Sequence, residues 1–374
     1  MTARAWAELL RVSALFTVPG DALAGAAAVG RRPDRGTVLA VGASLCLYEA
    51  GMALNDWADR EEDAVDRPHR PIPSGRIAPA AALAAAGALT AAGLGLAGRA
   101  GRPALAVATG LAATVWAYDL RLKHTPAGPA AMAAARGLDL LLGATATGGA
   151  GRTTGAVAPS VGVGVSVGAG TGTGAGAGPG PGSAGGSATA RGSARGAAPV
   201  ERGSVLGALP AAGLLGAHTY AVTAVSRHEA HGGSTTAPLA ALAAVAALGA
   251  AALHTRQGRR EDQEPAPHTG FGGQEKSLRP RPPHRSPATP ARTASGLVRT
   301  ALTGSYIRTA AVPLLHAALN PSPPLTQRAV GGGIRAMIPL QAALAARTGA
   351  VGTALAVMGL VPIARTLARK VSPT

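Results

Sequence analysis

The sequence has little cysteine: Cys46 is the single cysteine in 374 residues. One thiol excludes a disulfide within the chain and any metal site built from several cysteines. Cys46 lies in an apolar run, which predicts a small packed hydrophobe rather than a reactive group.

Charged and aromatic residues are also scarce, at 14% and 2% of the chain, whereas 47% of the residues are hydrophobic. A chain of this length could hold two soluble domains, but this composition argues against them. Apolar runs of about 17 to 24 residues recur and are long enough to cross a hydrocarbon core. Alanine and glycine fill many of these runs and permit close helix packing. We therefore expect an all-α integral membrane protein embedded in a lipid bilayer.

The net charge of +17 raises the possibility of nucleic-acid binding. The basic residues, however, lie in connecting segments and have no interleaved aromatic side chains, so no nucleic-acid partner is expected. Arginine-rich flanks of membrane helices explain the charge. The first apolar run contains Arg11 and Asp21 and predicts a retained helix rather than a cleaved signal peptide.

The most informative stretch runs from Asn55 to Gly75 and reads NDWADREEDAVDRPHRPIPSG. Its spacing puts Asp56, Asp59 and Asp63 on one face of a helix, where like charges repel unless a cation lies among them. Oxygen ligands of this kind suit Mg²⁺, which commonly bridges carboxylates to phosphates. The alternative is a solvated acidic helix end beside a basic loop.

The pattern NDxxDxxxD followed by RPxPSG resembles the first aspartate-rich motif of the UbiA superfamily of membrane prenyltransferases. The resemblance implies a bundle of about nine transmembrane helices around a central cavity. It also implies a Mg²⁺ cofactor held by Asn55, Asp56, Asp59 and Asp63, and a prenyl diphosphate donor. The three aspartates are the predicted catalytic residues.

Further basic residues are predicted to contact the diphosphate. Tyr118, Arg121 and Lys123 match in kind a tyrosine and a basic residue that the family carries after its fourth helix, although the spacing from Tyr118 to Lys123 is one residue longer. Snorkelling at the membrane interface is the alternative for these cations. The other predicted diphosphate ligands are Arg67, Arg70, Arg136 and Arg227.

Two buried charges leave alternatives open. Arg136 lies inside an apolar run, which makes it a candidate anion ligand, but Asp139 could neutralise it instead. Asp21 follows a Pro-Gly break and could either line the cavity or cap a helical turn.

The second aspartate-rich motif of the family is altered here to Ser226-Arg-His-Glu-Ala-His-Gly-Gly233. Glu229 is the remaining acidic residue and is predicted to join the metal site, whereas His228 and His231 are weak evidence for zinc. Either one metal suffices, or Arg227 and the histidines contact the diphosphate directly, or the donor chemistry differs.

Composition divides the chain into five segments. Residues 1–146 form the first part of the bundle, 147–203 a Gly/Ala/Ser-rich disordered insertion, 204–253 further helices, 254–297 a polar disordered insertion, and 298–374 the C-terminal helices. Hydropathy allows ten spans where the resemblance implies nine. The arginine and lysine distribution predicts a multi-pass protein of the cell membrane with the motif loops in the cytoplasm.

The predicted function is Mg²⁺-dependent transfer of a prenyl group from a prenyl diphosphate to an aromatic or other lipophilic acceptor. Few aromatic side chains are available to stack on the acceptor. A non-catalytic protein that binds or moves an isoprenoid is the alternative, since the second motif is altered. A secondary transporter would predict inverted repeats, which the sequence does not display.

Overall fold

The computed structural model describes residues 3–148, 204–229, 232–254 and 290–362, and side chains throughout these ranges except at 12–14 and 290–293. Most of both predicted insertions and His231 lie outside the described residues. The described part of the chain contains twelve α-helices and no β-strand, which confirms the all-helical prediction. The helices, in chain order, are α1 (Ala3–Leu9), α2 (Val18–Ala28), α3 (Arg35–Ala58), α4 (Arg60–Asp66), α5 (Pro79–Ala100), α6 (Arg102–Ala117), α7 (Gly128–Ala146), α8 (Leu209–Ser226), α9 (Thr236–Leu253), α10 (Pro290–Leu319), α11 (Pro323–Arg347) and α12 (Val351–Met358).

Within the described ranges, five helical segments are long and apolar enough to cross a membrane: α3, α5, α9, α11 and the segment Val205–Ser226 that ends in α8. Leu15–Ala28 and Val351–Pro362 are shorter apolar helices. These segments support a multi-pass membrane bundle, and the total of about nine spans stays a prediction.

The N-terminal segment is broken where one helix was expected. α1 ends at Leu9, and Arg11 adopts a left-handed backbone with φ of 48°. A 3₁₀ segment, Val12–Thr17, then leads into α2, which carries Pro19 in its first turn. Asp21 does not cap this turn; it lies fully buried inside the bundle.

α10 starts at Pro290, eight residues before the predicted start at Val298. The segment predicted as a polar insertion therefore ends in a helix. Pro313 lies inside α10 without ending it.

Small residues set the distance between α2 and α7, which pack side by side. A Cβ atom added at Gly143 would lie 2.3 Å from the Ala22 carbonyl oxygen, and one at Gly25 would lie 2.0 Å from the Leu140 carbonyl oxygen. Such distances are far below van der Waals contact, so only glycine fits at either position. This close crossing brings Asp21 on α2 next to Arg136 on α7.

The aspartate-rich motif spans the junction of α3 and α4. α3 begins with a capping box in which the Asp34 carboxylate accepts from the Thr37 amide, and it continues through Asp56. A helix break at Asp59 separates α3 from α4, although backbone bonds from Asp59 to Asn55 and from Asp63 to Asp59 cross the junction. The expectation of one helical face for all three aspartates is therefore corrected to two abutting helices.

Candidate active site

A cavity of about 530 Å³ opens among α3, α7, the end of α8 and the connection after α6. It is lined by nine of the residues predicted from the sequence, namely Asn55, Asp59, Arg67, Arg70, Tyr118, Lys123, Arg136, Arg227 and Glu229. Residues more than 170 positions apart thus meet around one space. The wall between the polar groups is apolar and includes Leu47, Met52, Leu111, Val115 and Met132.

Two motif aspartates lie behind the cavity wall and are held by arginines. Asp56 pairs with Arg11 at 3.1 Å and with Arg70 at 3.4 Å. Asp63 pairs with Arg70 at 2.7 Å and with Arg67 at 3.3 Å. Both carboxylates are buried, so their arginine partners offset the cost of removing them from water.

Asp59 is the motif aspartate that lines the cavity. It forms an ion pair with Lys123, and His124 Nε2 lies 4.0 Å from its carboxylate. The Asn55 side chain donates from Nδ2 to Asp119 at 3.2 Å, and its Oδ1 atom accepts from Arg11 at 3.5 Å. The first motif thus presents one carboxylate and one amide directly to the cavity.

The extra residue between Tyr118 and Lys123 is absorbed by a π-helical turn. Residues Tyr118–Leu122 form this turn, and the Lys123 amide donates to the Tyr118 carbonyl oxygen at 3.0 Å. Such turns are frequent at functional sites because they redirect side chains without ending the helix. Here the turn brings both Tyr118 and Lys123 to the cavity.

Two predicted diphosphate ligands are placed differently from expectation. Arg121 is exposed and does not line the cavity, because the π-helical turn directs it away from the wall that Tyr118 and Lys123 form. Arg136 lines the cavity but donates to Asp21 at 2.6 Å, so it is already neutralised. Its closest acidic partner is Asp21 rather than the predicted Asp139.

The altered second motif also reaches the cavity. α8 ends at Ser226, and Ser226, Arg227 and Glu229 all contribute to the lining. Burial raises the pKa of the Glu229 carboxyl, and the charge of Arg67 partly offsets this effect. His228 is half-buried and is not part of the lining.

Some lining residues were not predicted as site residues. Arg11 was read only as evidence against a signal peptide, yet it contacts both Asn55 and Asp56. Asp119 is buried beside Tyr118, and burial raises the pKa of its carboxyl to about 7, although the hydrogen bond from Asn55 lowers it. A signal for Asp119 existed, since it lies between two predicted ligands, but nothing in the sequence joins Arg11 to the motif.

The donor atoms at the motif suit Mg²⁺. Asn55 and Asp59 supply oxygen ligands at the cavity wall, and the ligand atoms of Asp59, Glu62 and His124 lie within 4.8 Å of one another. Hard oxygen donors favour Mg²⁺, whereas the single exposed imidazole adds little for a softer metal. An ion at Asp59 would replace Lys123 as the partner of this carboxylate.

A family model and several known proteins are similar to part of this chain. Residues 14–170 match the model of the UbiA prenyltransferase family. A digeranylgeranylglyceryl phosphate synthase of Methanopyrus kandleri is 40% identical over 128 residues, which cover 33% of this chain and 45% of the relative. A synthase of the same name from Methanothrix thermoacetophila is 43% identical over 110 residues, covering 29% and 41%. The chain therefore aligns with less than half the length of either relative.

A short segment also resembles the bacteriochlorophyll synthase 33 kDa chain of Rhodobacter capsulatus, with 72% identity over 25 residues, 7% of this chain and 8% of the relative. Among solved structures, one from a study of digeranylgeranylglyceryl phosphate synthase in membranes superposes with a TM-score of 0.51. That superposition covers 93% of this chain and 98% of the other at 15% identity, which shows a shared fold. With the matched motif region, these findings confirm the resemblance: residues 14–170 match the UbiA prenyltransferase family.

Proposed function

We propose that the protein transfers a prenyl group from a prenyl diphosphate to a lipophilic acceptor within the bilayer. The observation that carries this proposal is the convergence of Asn55, Asp59 and Lys123 at the mouth of a cavity with apolar walls. A diphosphate needs cations, and its isoprenoid tail needs an apolar surface. The cavity offers both within one space.

The mouth of the cavity carries more basic than acidic side chains. Arg11, Arg67, Arg70, Lys123 and Arg227 line it on the basic side, and Asp59, Asp119 and Glu229 on the acidic side. This excess suits a polyanion, and arginine and lysine both form strong charge-assisted hydrogen bonds with phosphate oxygens.

Magnesium, when held by Asn55 and Asp59, would neutralise charge on the leaving diphosphate. In the transfer, the bond between the donor's C1 and its oxygen breaks, and the electron pair goes to the diphosphate. Lys123, Arg67, Arg70 and Arg227 stabilise that charge. The acceptor's nucleophilic atom bonds to C1, and its proton leaves to water at the cavity mouth. Leu47, Val115 and Met132 keep water from the allylic carbon, which suppresses hydrolysis.

Asp56 and Asp63 act one step away from the substrate. They hold Arg11, Arg67 and Arg70 in place, so their removal would disorder the basic side of the cavity. The predicted catalytic set thus divides into a direct ligand, Asp59, and two positioning residues. Glu229 is a further candidate metal ligand, reached from α8.

The acceptor class is open to direct test. Several relatives are named digeranylgeranylglyceryl phosphate synthases, so a prenylated glyceryl phosphate is the first acceptor to try, followed by aromatic acceptors. The surplus of arginine and lysine on the motif side supports a cytoplasmic site, which would receive the donor from the cytosol.

The test uses purified protein in detergent with Mg²⁺, a labelled prenyl diphosphate and each acceptor. Labelled lipid product and pyrophosphate are expected in equal amounts, and both should disappear on chelation of the metal. A second candidate, isoprenoid binding without transfer, is favoured by the pairing of every motif aspartate with a basic residue. Donor binding without product from any acceptor would select it.

A further inference from the structure

A second polar region lies at the inner end of the same cavity. Ser44 on α3 precedes Asn55 by eleven residues, which corresponds to about 16 Å along a helix. Ser44, Arg136 and Asp139 line the cavity at this depth, below the apolar wall. A prenyl tail alone would not require polar groups there.

These residues belong to a hydrogen-bonded network that joins four helices. The Ser44 hydroxyl on α3 donates to Asp139 on α7, and Arg136 on α7 donates to Asp21 on α2. Gln341 on α11 donates from Nε2 to the second oxygen of Asp21 at 2.6 Å. Arg136 and Asp139 lie one turn apart on α7 and join the two sets of bonds. Asp21 and Gln341 are fully buried.

The network has no surplus positive charge. It contains two carboxyl groups and one guanidinium, so its net charge is −1 with both carboxyls ionised. An anionic ligand group would therefore be repelled from this end, whereas the mouth attracts it.

One buried polar atom of the network has no hydrogen-bond partner in the part of the chain that the structure describes. Gln341 Oε1 is buried without a hydrogen-bond partner among the described residues. Leaving a buried acceptor unpaired is unfavourable. At the cavity surface, the Asp139 carboxylate and the Ser44 oxygen can accept from a hydroxyl group, and the Arg136 guanidinium can donate to it.

We propose that Ser44, Asp139 and Arg136 form a binding site for a neutral hydroxyl group of the acceptor, and that this end of the cavity rejects carboxylate and phosphate. That this hydroxyl belongs to an acceptor rests on the proposed prenyl transfer, but the binding preference does not depend on turnover. An acceptor that carries both a hydroxyl and an anionic group would direct the anion to the basic mouth.

The experiment compares two probes that differ in one group, benzyl alcohol and benzoate. Their Kd values are measured by calorimetry on the full chain in detergent, with Mg²⁺ and pyrophosphate present so that no transfer occurs. We expect the alcohol to bind at least about tenfold more tightly than the carboxylate. In Asp139→Asn the loss of one negative charge should reduce this ratio to about one or invert it.

Two further variants keep the test decisive. Ser44→Ala changes no charge and removes one hydrogen bond, so the alcohol should bind about three- to tenfold more weakly while carboxylate binding is unchanged. Glu61→Gln is the matched acid-to-amide control, since the Glu61 side chain is 86% exposed and lies outside the cavity. It should leave the ratio as in the native protein.

Equal binding of the two probes, tighter binding of the carboxylate, or no binding of either by the native protein would overturn the site. An unchanged ratio in folded Asp139→Asn, or unchanged alcohol binding in Ser44→Ala, would do the same. Failure of prenyl transfer with the preference intact would instead contradict the proposed function alone. Transfer without any preference would contradict the hydroxyl site alone.

Discussion

Arg70 Nη1 donates to Asp63 at 2.7 Å and lies 3.4 Å from Asp56, so one guanidinium bridges the two aspartates on either side of the break between α3 and α4. Both carboxylates are buried. The bridge adds a side-chain connection to the backbone hydrogen bonds that cross the junction at Asp59.

Replacing this bridge should damage both stability and donor binding. Arg70→Gln leaves two buried carboxylates with one fewer partner, and we expect a loss of about 1–3 kcal/mol in the free energy of unfolding. The KM for the prenyl diphosphate should rise about tenfold or more. Thermal unfolding in detergent and steady-state kinetics measure the two effects.

Arg121→Gln is the matched control for that substitution. Arg121 is exposed and does not line the cavity. We expect the unfolding free energy of this variant to change by less than about 0.5 kcal/mol and its KM for the prenyl diphosphate to stay within about twofold of the native value. An effect as large as that of Arg70→Gln would contradict the assignment of Arg70, and not Arg121, to the basic residues that line the cavity.

Arg227 tests how the altered second motif works. It lines the cavity at the end of α8, in the segment that the resemblance aligns with a second aspartate-rich motif. If its guanidinium contacts the diphosphate, Arg227→Gln should weaken binding of pyrophosphate about tenfold, the equivalent of one charge-assisted hydrogen bond. Calorimetric titration with pyrophosphate and Mg²⁺ measures this. Unchanged affinity would favour a role for Glu229 and a second metal.

The close crossing of α2 and α7 predicts a strong effect from one methyl group. Gly143→Ala would place Cβ 2.3 Å from the Ala22 carbonyl oxygen, so the helices must separate and the Asp21–Arg136 pair must loosen. We expect a loss of about 1–3 kcal/mol in unfolding free energy. Gly87→Ala on α5 is the control: its Cβ meets nothing within 4 Å, so it should be neutral or stabilising by up to about 1 kcal/mol. Similar Tm values for both variants would argue against this packing.

The N-cap of α3 predicts a pH-dependent stability. Burial raises the pKa of Asp34, but hydrogen bonds from the Thr37 and Gly148 amides outweigh it and lower the pKa below its usual value. A carboxyl with a lowered folded-state pKa stabilises the fold above its unfolded-state pKa, and that stability is lost as pH falls through the folded-state value.

Asp34→Ala should therefore cost about 1 kcal/mol at neutral pH and progressively less below the ordinary carboxyl pKa. Asp34→Asn keeps a capping oxygen that does not titrate. The contribution of this cap to the free energy of unfolding should therefore be the same at all pH values. Thermal unfolding across pH 3 to 8 separates the two. A constant difference between native protein and Asp34→Ala would rule out the cap as its source.

The sequence was sufficient for the features that depend on local pattern. Apolar run length predicted the helical membrane bundle, and the NDxxDxxxD pattern identified the stretch from which Asn55 and Asp59 line the cavity. The sequence could not place Arg11 in the site, because the left-handed backbone of Arg11 and its contact with Asp56 depend on how the N-terminal segment folds back. Nor could it choose Asp21 as the partner of Arg136, since that choice follows from the crossing of α2 and α7 at Gly25 and Gly143.

Arg121 illustrates a different limit. Residue type and nearness to Tyr118 suggested a diphosphate ligand, but a π-helical turn rotates side chains by an amount that neither a 3.6-residue period nor composition conveys. The same turn brings Lys123 to Asp59. The one-residue difference in spacing was thus the sign of the π-helical turn in the sequence. It did not indicate which side chain would point away from the cavity.

The central claim is that Asp59 holds a divalent ion together with the diphosphate. Titration of the purified protein with Mn²⁺, followed by electron paramagnetic resonance with and without pyrophosphate, tests it most directly. The native protein should bind Mn²⁺ more tightly when pyrophosphate is present, and Asp59→Asn should weaken that binding about 10- to 100-fold, whereas Glu61→Gln should not. Mn²⁺ binding that is indifferent to both pyrophosphate and Asp59→Asn would contradict the account.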